Sequence, residues 1–415
     1  MKRTHTLLAI LLTVSATTRA QNVPAASGSA TSEGAAELQV SGKLHYDLRY
    51  AQTARLGSNL DGQQRSYISG DASYANIRKR MPFTMRYGGG YGWVLAGPPS
   101  AGNVFQHMAL SQGYVKRTWN LTASENVSYT FETPTTGFLG GSGSTTSPDQ
   151  TVLTQNTRIL DNVTTLGFGH KLNYATSLNI DSTWGQMRFI NRNGQRMDTK
   201  TASASVTRRL DAHNSLSGQY SFSRFFYGGS SALVNSAQVR FSQINTAKIG
   251  LNRQWNRKIK TTVSVGPQWI STANGAAEPS STRISITAFT SYAFRAGTAS
   301  MNYSHESTGG AGYMPGAEND IAAANLLRKF GKNLSVGVTG TYMRTAGLNK
   351  NGVIRGEYGG VQASRRLGRY FSIFTNYTAT DQSSTFQNSA NILTSLSQIF
   401  GFGISYSPRE KHFND

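Results

Sequence analysis

Cysteine and long apolar runs are both absent from this sequence. Without cysteine the chain forms no disulfides, which is compatible with an exported protein but does not by itself require export. No apolar run reaches about 18 residues, and the mean hydropathy is −0.39. The lack of such a run and the low mean hydropathy together exclude a helical membrane protein.

Acidic residues are also scarce. The chain has 20 of them against 41 lysines and arginines, for a formal net charge of +21, or +18 once Lys2, Arg3 and Arg19 of residues 1–20 are removed. A soluble protein this basic would suggest a nucleic-acid partner. For an exported chain we expect no nucleic acid, because an acidic surface such as lipopolysaccharide, or anionic solutes, fits better.

An export signal is predicted at the start of the chain. The one compact apolar run, Leu7–Val14, follows Lys2 and Arg3 and precedes small residues ending at Ala20. This order is typical of a cleaved secretory signal peptide, which we place at residues 1–20. Residues 21–36 are small, polar and aperiodic, and predict a flexible N-terminal segment.

Alternation of apolar and polar residues recurs along the rest of the chain. The hairpin Val361–Thr380 shows the unit: two alternating segments flank a short basic turn, and on the second arm only Phe374 breaks the pattern. Alternation with β-branched and aromatic residues predicts strands. We predict eighteen, at 38–50, 66–79, 82–92, 105–117, 120–131, 158–171, 174–187, 200–210, 214–227, 236–254, 260–271, 283–295, 298–306, 319–329, 333–344, 354–367, 370–380 and 398–408.

The connections alternate between two kinds. Short basic turns such as Lys116–Trp119 and Asn256–Lys258 alternate with longer segments rich in Gly, Ser, Asn and Pro, such as Trp93–Val104 and Asp381–Ser397. Eight short turns join sixteen strands, and one further strand at each end makes eighteen. Sixteen or twenty strands remain open.

These features predict an all-β fold, a transmembrane antiparallel up-and-down β-barrel over residues 37–409 with a tail at 410–415. A tilted strand crosses a bilayer in roughly 9 to 11 residues, and strands in lipid must close because lipid cannot satisfy a sheet edge. Polar inward positions would line a water-filled lumen. A soluble all-β secreted protein, the alternative, does not explain the strand length or the alternating connections.

The last strand carries a family resemblance. In Gln398–Arg409, Phe400, Phe402, Ile404 and Tyr406 alternate with Gly and Ser. The segment resembles the C-terminal signal by which the barrel-assembly machinery recognises Gram-negative outer-membrane β-barrels of the porin-like type. Such barrels usually end on an aromatic residue, whereas here Glu410–Asp415 follows. The resemblance implies the outer membrane as the location and the assembly machinery and outer-membrane lipid as partners.

Two sets of residues are candidates for a role in the pore. The longest connection, Glu132–Thr157, follows the fifth strand, where general porins fold a loop inward, so the resemblance makes Glu132 and Asp149 constriction candidates; an ordinary surface loop is the alternative. Basic residues at the short turns predict a periplasmic rim that either anchors the barrel in headgroups or favours anions. The rim candidates are Arg80, Arg117, Arg209, Arg257, Arg295, Arg328, Arg365, Arg366 and Arg369.

No pattern in the sequence supports catalysis or a cofactor. The histidines are scattered, and neither HExxH nor GxSxG occurs. Glu318 and Asp320 leave a faint possibility of a calcium site, and solvated charge is the simpler interpretation. Residues 21–36 are too few for the plug domain of a TonB-linked transporter.

The sequence therefore predicts a porin-like channel for passive diffusion of small polar solutes. Anionic solutes would be favoured if several of the arginines within strands or at their loop ends face the lumen; these are Arg86, Arg188, Arg224, Arg240, Arg253, Arg283, Arg344 and Arg355. A non-conducting structural or surface-interaction barrel is the alternative function, and assembly into a homo-oligomer is left open.

Overall fold

The computed structural model describes residues 43–56, 63–76, 80–97, 103–131, 158–190, 196–228, 241–273, 280–310, 316–348, 352–385, 396–408 and 411–412. Among these residues, no helical segment combines the length and hydropathy needed to cross a bilayer. The predicted signal peptide, the predicted flexible segment and all of the predicted tail except Lys411 and His412 lie outside the described residues.

Eighteen long strands make up nearly all of the described chain, which confirms the predicted strand number and the all-β class. They are β1 (Lys43–Leu56), β2 (Gln64–Asn76), β3 (Phe83–Ala96), β4 (Asn103–Val115), β5 (Trp119–Phe131), β6 (Arg158–Lys171), β7 (Thr176–Phe189), β8 (Arg196–Arg209), β9 (Asn214–Gly228), β10 (Phe241–Gln254), β11 (Ile259–Ala273), β12 (Ser280–Phe294), β13 (Gly297–Thr308), β14 (Ala317–Phe330), β15 (Leu334–Gly347), β16 (Val353–Leu367), β17 (Phe371–Ser384) and β18 (Ser397–Tyr406). A two-residue bridge, Lys411–His412, pairs with the start of β1.

The sheet closes on itself between its first and last strands. Every strand pairs antiparallel with the strands before and after it, and β18 pairs with β1 from Leu48 opposite Tyr406 to Leu56 opposite Gln398. Closure removes the free sheet edges that an apolar surrounding could not satisfy. The predicted up-and-down barrel is therefore confirmed.

Closure also gives every strand one face toward the lumen and one face outward, since successive side chains alternate. Large apolar side chains cover the outer face: Ile68 is 55% exposed, Leu166 58% and Ile249 66%. Glu125, a polar exception on the apolar face of β5, also points outward and accepts a hydrogen bond from Thr164 Oγ1 at 2.7 Å. The outer face is thus the one suited to lipid.

Phe374 breaks the alternation of β17 because it faces the lumen and lies against a glycine. Its ring occupies the space that a side chain on Gly403 of β18 would need, next to the carbonyl oxygen of Tyr50 on β1. It also packs against Ala51 and Tyr67 on the inner wall. An inward aromatic side chain therefore covers the seam where the barrel closes.

Three of the short turns share one side-chain motif. The Oδ1 atoms of Asn173, Asp211 and Asn256 each accept two backbone N–H bonds, at 2.6 to 2.9 Å. Such bonds fix a tight turn without help from the rest of the fold. Hydrogen bonds from the Asn214 side chain, and from the backbone N–H groups of His213 and Asn214, hold the pKa of Asp211 below its usual value.

The lowered pKa makes this turn sensitive to acid. Because Asp211 titrates lower in the folded barrel than in the unfolded chain, its stabilisation is present above the usual carboxyl pKa and is lost as pH falls through the folded value. Asp211→Asn keeps an acceptor oxygen but does not titrate. We expect urea unfolding at about pH 7 and about pH 3 to show a smaller pH dependence for this variant than for the wild type; equal dependence would exclude a role for the Asp211 carboxyl.

Close backbone approach at Gly266 predicts a specific sensitivity. A Cβ there would overlap the carbonyl oxygen of Ala247, whereas a Cβ on Gly218 has open space. We expect Gly266→Ala to lower the free energy of unfolding by about 1–3 kcal/mol and Gly218→Ala to change it by less than about 0.5 kcal/mol. Urea unfolding in lipid vesicles measures both, and equal effects would contradict the close approach.

Candidate pore wall and constriction

Hydroxyl side chains cover much of the inner wall and bond to one another across neighbouring strands. Thr201 and Ser223 join β8 to β9 at 3.1 Å, and Ser335 and Ser364 join β15 to β16 at 2.7 Å. Each hydroxyl has one donor and two acceptor sites, so such a pair still has capacity for water. The inner wall is therefore chemically suited to a hydrated lumen.

Charged side chains at inward positions are mostly basic. The strand register places inward the basic residues Arg49, Arg55, Arg65, Arg86, Lys171, Arg209, Lys248, Lys260, Arg283, Lys329 and Arg366. The acidic residues at inward positions are Asp47, Asp71, Asp161, Asp181 and Glu306, and Glu318 also reaches the inner side, where it pairs with Arg283. Among the described residues, the inner face thus carries an excess of positive charge.

The strand arginines that sequence reasoning singled out divide between the two faces. Arg86 and Arg283 point inward, and Arg240 lies outside the described residues. The other five point outward: Arg188, Arg224, Arg253, Arg344 and Arg355. The sequence reasoning missed the inward arginines of β1 and β2, although their alternation with the exposed Leu48, Tyr50 and Leu56 was available as a signal.

One compact group of charges lies on the inner wall of β1 to β4. The Asp71 carboxylate lies 3.2 Å from the Arg49 guanidinium, 3.9 Å from that of Arg86 and 3.7 Å from His107 Nε2. Arg49 also pairs with Asp47. The acidic and basic side chains balance here, so the group is held by internal pairing and adds little net charge to the lumen.

A buried apolar cluster spans the lumen near the loop end of the barrel. Its members lie close to the strand ends that adjoin the longer connections. They are Ile159, Met187, Phe189, Met197, Phe225, Ile244 and Ile270 on β6 to β11, and Ile354 on β16. Because β16 stands five strands beyond β11, contact between these residues crosses the barrel. The sequence reasoning expected polar inward positions and missed this cluster.

The upper part of β13 separates from β12, whereas β14 stays paired with β15 up to Ala317 opposite Gly347. Pairing between β12 and β13 stops at Ile286 opposite His305, but β13 continues to pair with β14 up to Thr308 opposite Ala317. The described residues 306–310 and 316–319, termed here the inward hairpin, are therefore held to each other and to β15 but not to β12.

Contacts of the inward hairpin lie inside the barrel. The backbone N–H of Ser307 donates to Gln268 Oε1 of β11 at 2.8 Å, and the Tyr227 hydroxyl of β9 donates to the Gly309 carbonyl at 2.8 Å. The Phe225 ring occupies the space that a Gly309 side chain would need. The hairpin thus reaches the inner side of β9 and narrows the lumen beside the apolar cluster, of which Phe225 is a member.

Ion pairs hold the inward hairpin and its base. Lys248 Nζ lies 3.2 Å from Glu306 Oε2, and Arg283 pairs with Glu318. At the base, where β13 leaves β12, the Asp320 carboxylate contacts His305 Nδ1 at 2.5 Å and Arg344 at 3.0 Å. These pairs are partly accessible to solvent, so each one stabilises the hairpin only modestly. The number of pairs therefore matters more than any single pair.

The same group bears on the calcium site considered for Glu318 and Asp320. His305, Glu318 and Asp320 each place one ligand atom within 4.8 Å of the others. Arg283 and Arg344 already pair with the two carboxylates. The residues present therefore fit an ion-pair group better than a cation site, because the two guanidinium groups supply the compensating positive charge.

All nine rim candidates are exposed and lie at the short-turn end of the barrel. Arg209 and Arg366 occupy inward positions, and Arg328 and Arg365 occupy outward ones. The other five, in or next to turns, are Arg80, Arg117, Arg257, Arg295 and Arg369. Their predicted roles in anchoring or filtering stay predictions.

The remaining predicted residues lie far from the inward hairpin or outside the described chain. Glu132 and Asp149 are outside the described residues. The aromatic and aliphatic positions of the predicted assembly signal, Phe400, Phe402, Ile404 and Tyr406, all face outward, with exposed fractions of 46%, 60%, 42% and 37%. They belong to β18, which closes the barrel against β1; their recognition by the assembly machinery stays a prediction.

Comparison with known proteins finds likeness in shape only. No family model matches the sequence, and no curated protein matches it significantly. The FrpB iron transporter from Neisseria meningitidis (F3-3 variant) is 8% identical with a TM-score of 0.46, over 88% of this chain and 81% of that chain. OccK5 (OpdH) of Pseudomonas aeruginosa is 9% identical with a TM-score of 0.45, over 90% of this chain and 99% of that chain.

Because these TM-scores are below 0.5, the fold assignment depends on the strand pairing of the chain itself. That pairing closes eighteen antiparallel strands around a largely polar inner wall and leaves an apolar outer face. By this architecture, the chain is a closed, eighteen-stranded, antiparallel up-and-down β-barrel.

Proposed function

We propose that the chain is an outer-membrane channel for passive diffusion of small polar solutes, with a preference for anions. The observation that carries the proposal is the inner wall, which has rows of hydroxyl groups and an excess of basic side chains inside a barrel whose outer face is apolar. We assign the short turns to the periplasmic side and propose no catalytic activity.

The mechanism is diffusion through water along this wall. Hydroxyl groups replace part of a solute's hydration, and basic side chains at inward positions attract anions by their sign. The inward hairpin sets the narrowest passage near the loop end, where Lys248 and Arg283 line its attachment. Passage therefore depends on how firmly the hairpin is held, and the loop containing Glu132 and Asp149 remains a second constriction candidate.

One observation favours a second candidate function, a non-conducting structural or surface-interaction barrel. The apolar cluster from Ile159 to Ile354 crosses the lumen, and its members are at most 5% exposed. An apolar constriction loses its water and therefore excludes ions, unless it widens or fills with water again. Conductance separates the two functions directly.

Purified protein in a planar bilayer should give discrete conductance steps, and a salt gradient should give a reversal potential of the anion-selective sign. The physical reason is the excess of basic side chains at inward positions. A barrel that folds, shown by heat-modifiable migration, but gives no conductance steps would favour the non-conducting alternative. A cation-selective reversal potential would exclude the anion preference.

Loosening the inward hairpin should widen the passage. Lys248→Gln combined with Arg283→Gln removes two of its ion pairs, and Tyr227→Phe removes the hydrogen bond to the Gly309 carbonyl. We expect each change to raise single-channel conductance at least about twofold, because the narrowest passage limits ion flow. Lys260→Gln is the matched control, since it removes an inward basic charge on β11 away from the hairpin. Unchanged conductance in both hairpin variants would exclude the hairpin as the constriction.

A further inference from the structure

Four basic side chains form a patch on the outer face of the barrel, near the loop ends of β7 to β9. The outer basic patch consists of Arg188, Arg196, Lys200 and Arg224. Their outward direction follows from the register, because they alternate with the buried inward residues Phe189, Met197, Thr201, Ser223 and Phe225. The patch lies on the face that carries the apolar side chains and outside the proposed pore.

The members of the patch oppose one another in pairs of like charge. Arg188 lies directly opposite Arg196, and Lys200 lies directly opposite Arg224. Like charges at such positions destabilise a sheet unless something compensates them. Within the patch, Asp198 pairs with Arg196, whose Nε donates to Oδ1 at 2.9 Å. One carboxylate against four cations leaves the patch strongly positive.

Aromatic rings hold Arg224 in place. Its guanidinium lies 4.9 Å from the ring centre of Phe226 and 4.2 Å from that of Phe241, and Lys200 Nζ lies 5.8 Å from the Phe226 ring. Among the described residues, the buried Nε of Arg224 has no hydrogen-bond acceptor. The rings thus hold the planar guanidinium in one orientation, and its Nε–H has no acceptor from the described part of the protein.

An exposed apolar surface continues from the patch toward the short-turn end. Trp184 lies directly opposite Lys200, and beyond it Ile180, Val206 and Tyr220 are exposed by 46%, 43% and 51%. Phosphate oxygens on the basic side chains would leave attached acyl chains lying along these residues. The arrangement fits a molecule with an anionic head near the loop end and apolar chains below it.

We propose that the outer basic patch binds the phosphate groups of lipopolysaccharide in the outer leaflet. Arginine suits phosphate because its planar guanidinium group donates two parallel hydrogen bonds to the phosphate oxygens. A second copy of the chain joined through this patch by a two-fold axis would bring the same cations together, so a lipid is the better partner. The inference rests on the outer-membrane location and loop-side orientation given under the proposed function, but not on conduction.

Native mass spectrometry of the detergent-purified, full-length barrel tests the proposal. The probes are phosphorylated lipid A, dephosphorylated lipid A, phosphatidylglycerol and inorganic pyrophosphate. We expect phosphorylated lipid A to bind at least about tenfold more tightly than the dephosphorylated form, because each basic side chain near a lipid surface attracts anionic headgroups. Lys200→Gln combined with Arg224→Gln should remove most of that difference.

Arg253→Gln is the matched control, because Arg253 also faces outward and stacks on an aromatic ring, 3.9 Å from the centre of Trp255, but lies at the short-turn end of β10. It should bind phosphorylated lipid A as the wild type does. Lys200→Gln alone changes one exposed position and provides a second test if the double variant misfolds. Heat-modifiable migration shows whether the barrel in each sample is folded.

Four results would overturn the proposal. The first three are equal binding of the two lipid A forms, equal loss in Arg253→Gln, and pyrophosphate binding as tight as that of phosphorylated lipid A. The third would indicate a free-phosphate site. Phosphatidylglycerol binding as tightly as phosphorylated lipid A would also overturn it, since the patch would then select only for an anionic headgroup. Planar-bilayer conductance of Lys200→Gln should match the wild type, so failure of lipid binding and failure of the channel are distinguishable.

Discussion

Backbone hydrogen bonding in an apolar surrounding is the constraint on which the rest of the structure depends. Lipid offers no partner for the N–H and C=O groups of a strand, so the pairing of β18 with β1 is required rather than incidental. Once the sheet closes, the register of each pair fixes which side chains point inward. The polar inner wall, the inward hairpin and the outer basic patch all follow from that single assignment of faces.

Much of the fold could be predicted because alternation is a local signal. The predicted segment 158–171 coincides with β6, and 354–367 differs from β16 by one residue. The errors lie mainly at the loop ends. β17 continues to Ser384, beyond the predicted end at residue 380, because Asp381 and Gln382 are polar on both faces and the alternation disappears there.

The proposed constriction could not be predicted in the same way, because it depends on contacts between residues far apart in sequence. Tyr227 bonds to Gly309, and Ile244 and Ile354 join one apolar cluster, only after the barrel has closed. No local pattern distinguishes the inward hairpin from any other loop that begins after a strand. The resemblance to general porins directed attention to Glu132–Thr157, whereas the described residues show a different element, between β13 and β14, inside the lumen.

Basic residues show most clearly how register changes the meaning of a residue type. Composition alone gives one number, a net charge of +21, and suggests one acidic partner. The structure divides the same arginines and lysines among three places with different surroundings. Those at the short turns lie at one end of the barrel, those at inward positions face the lumen, and those of the outer basic patch lie beside aromatic and aliphatic side chains. Arg224 and Arg253 both face outward and both stack on aromatic rings, but they lie at opposite ends of the barrel, and of the two only Arg224 lies opposite another cation, Lys200. The proposed binding of a lipid headgroup therefore depends on both the height of an arginine on the wall and the charges beside it, and an arginine without such neighbours has the role of an ordinary anchor.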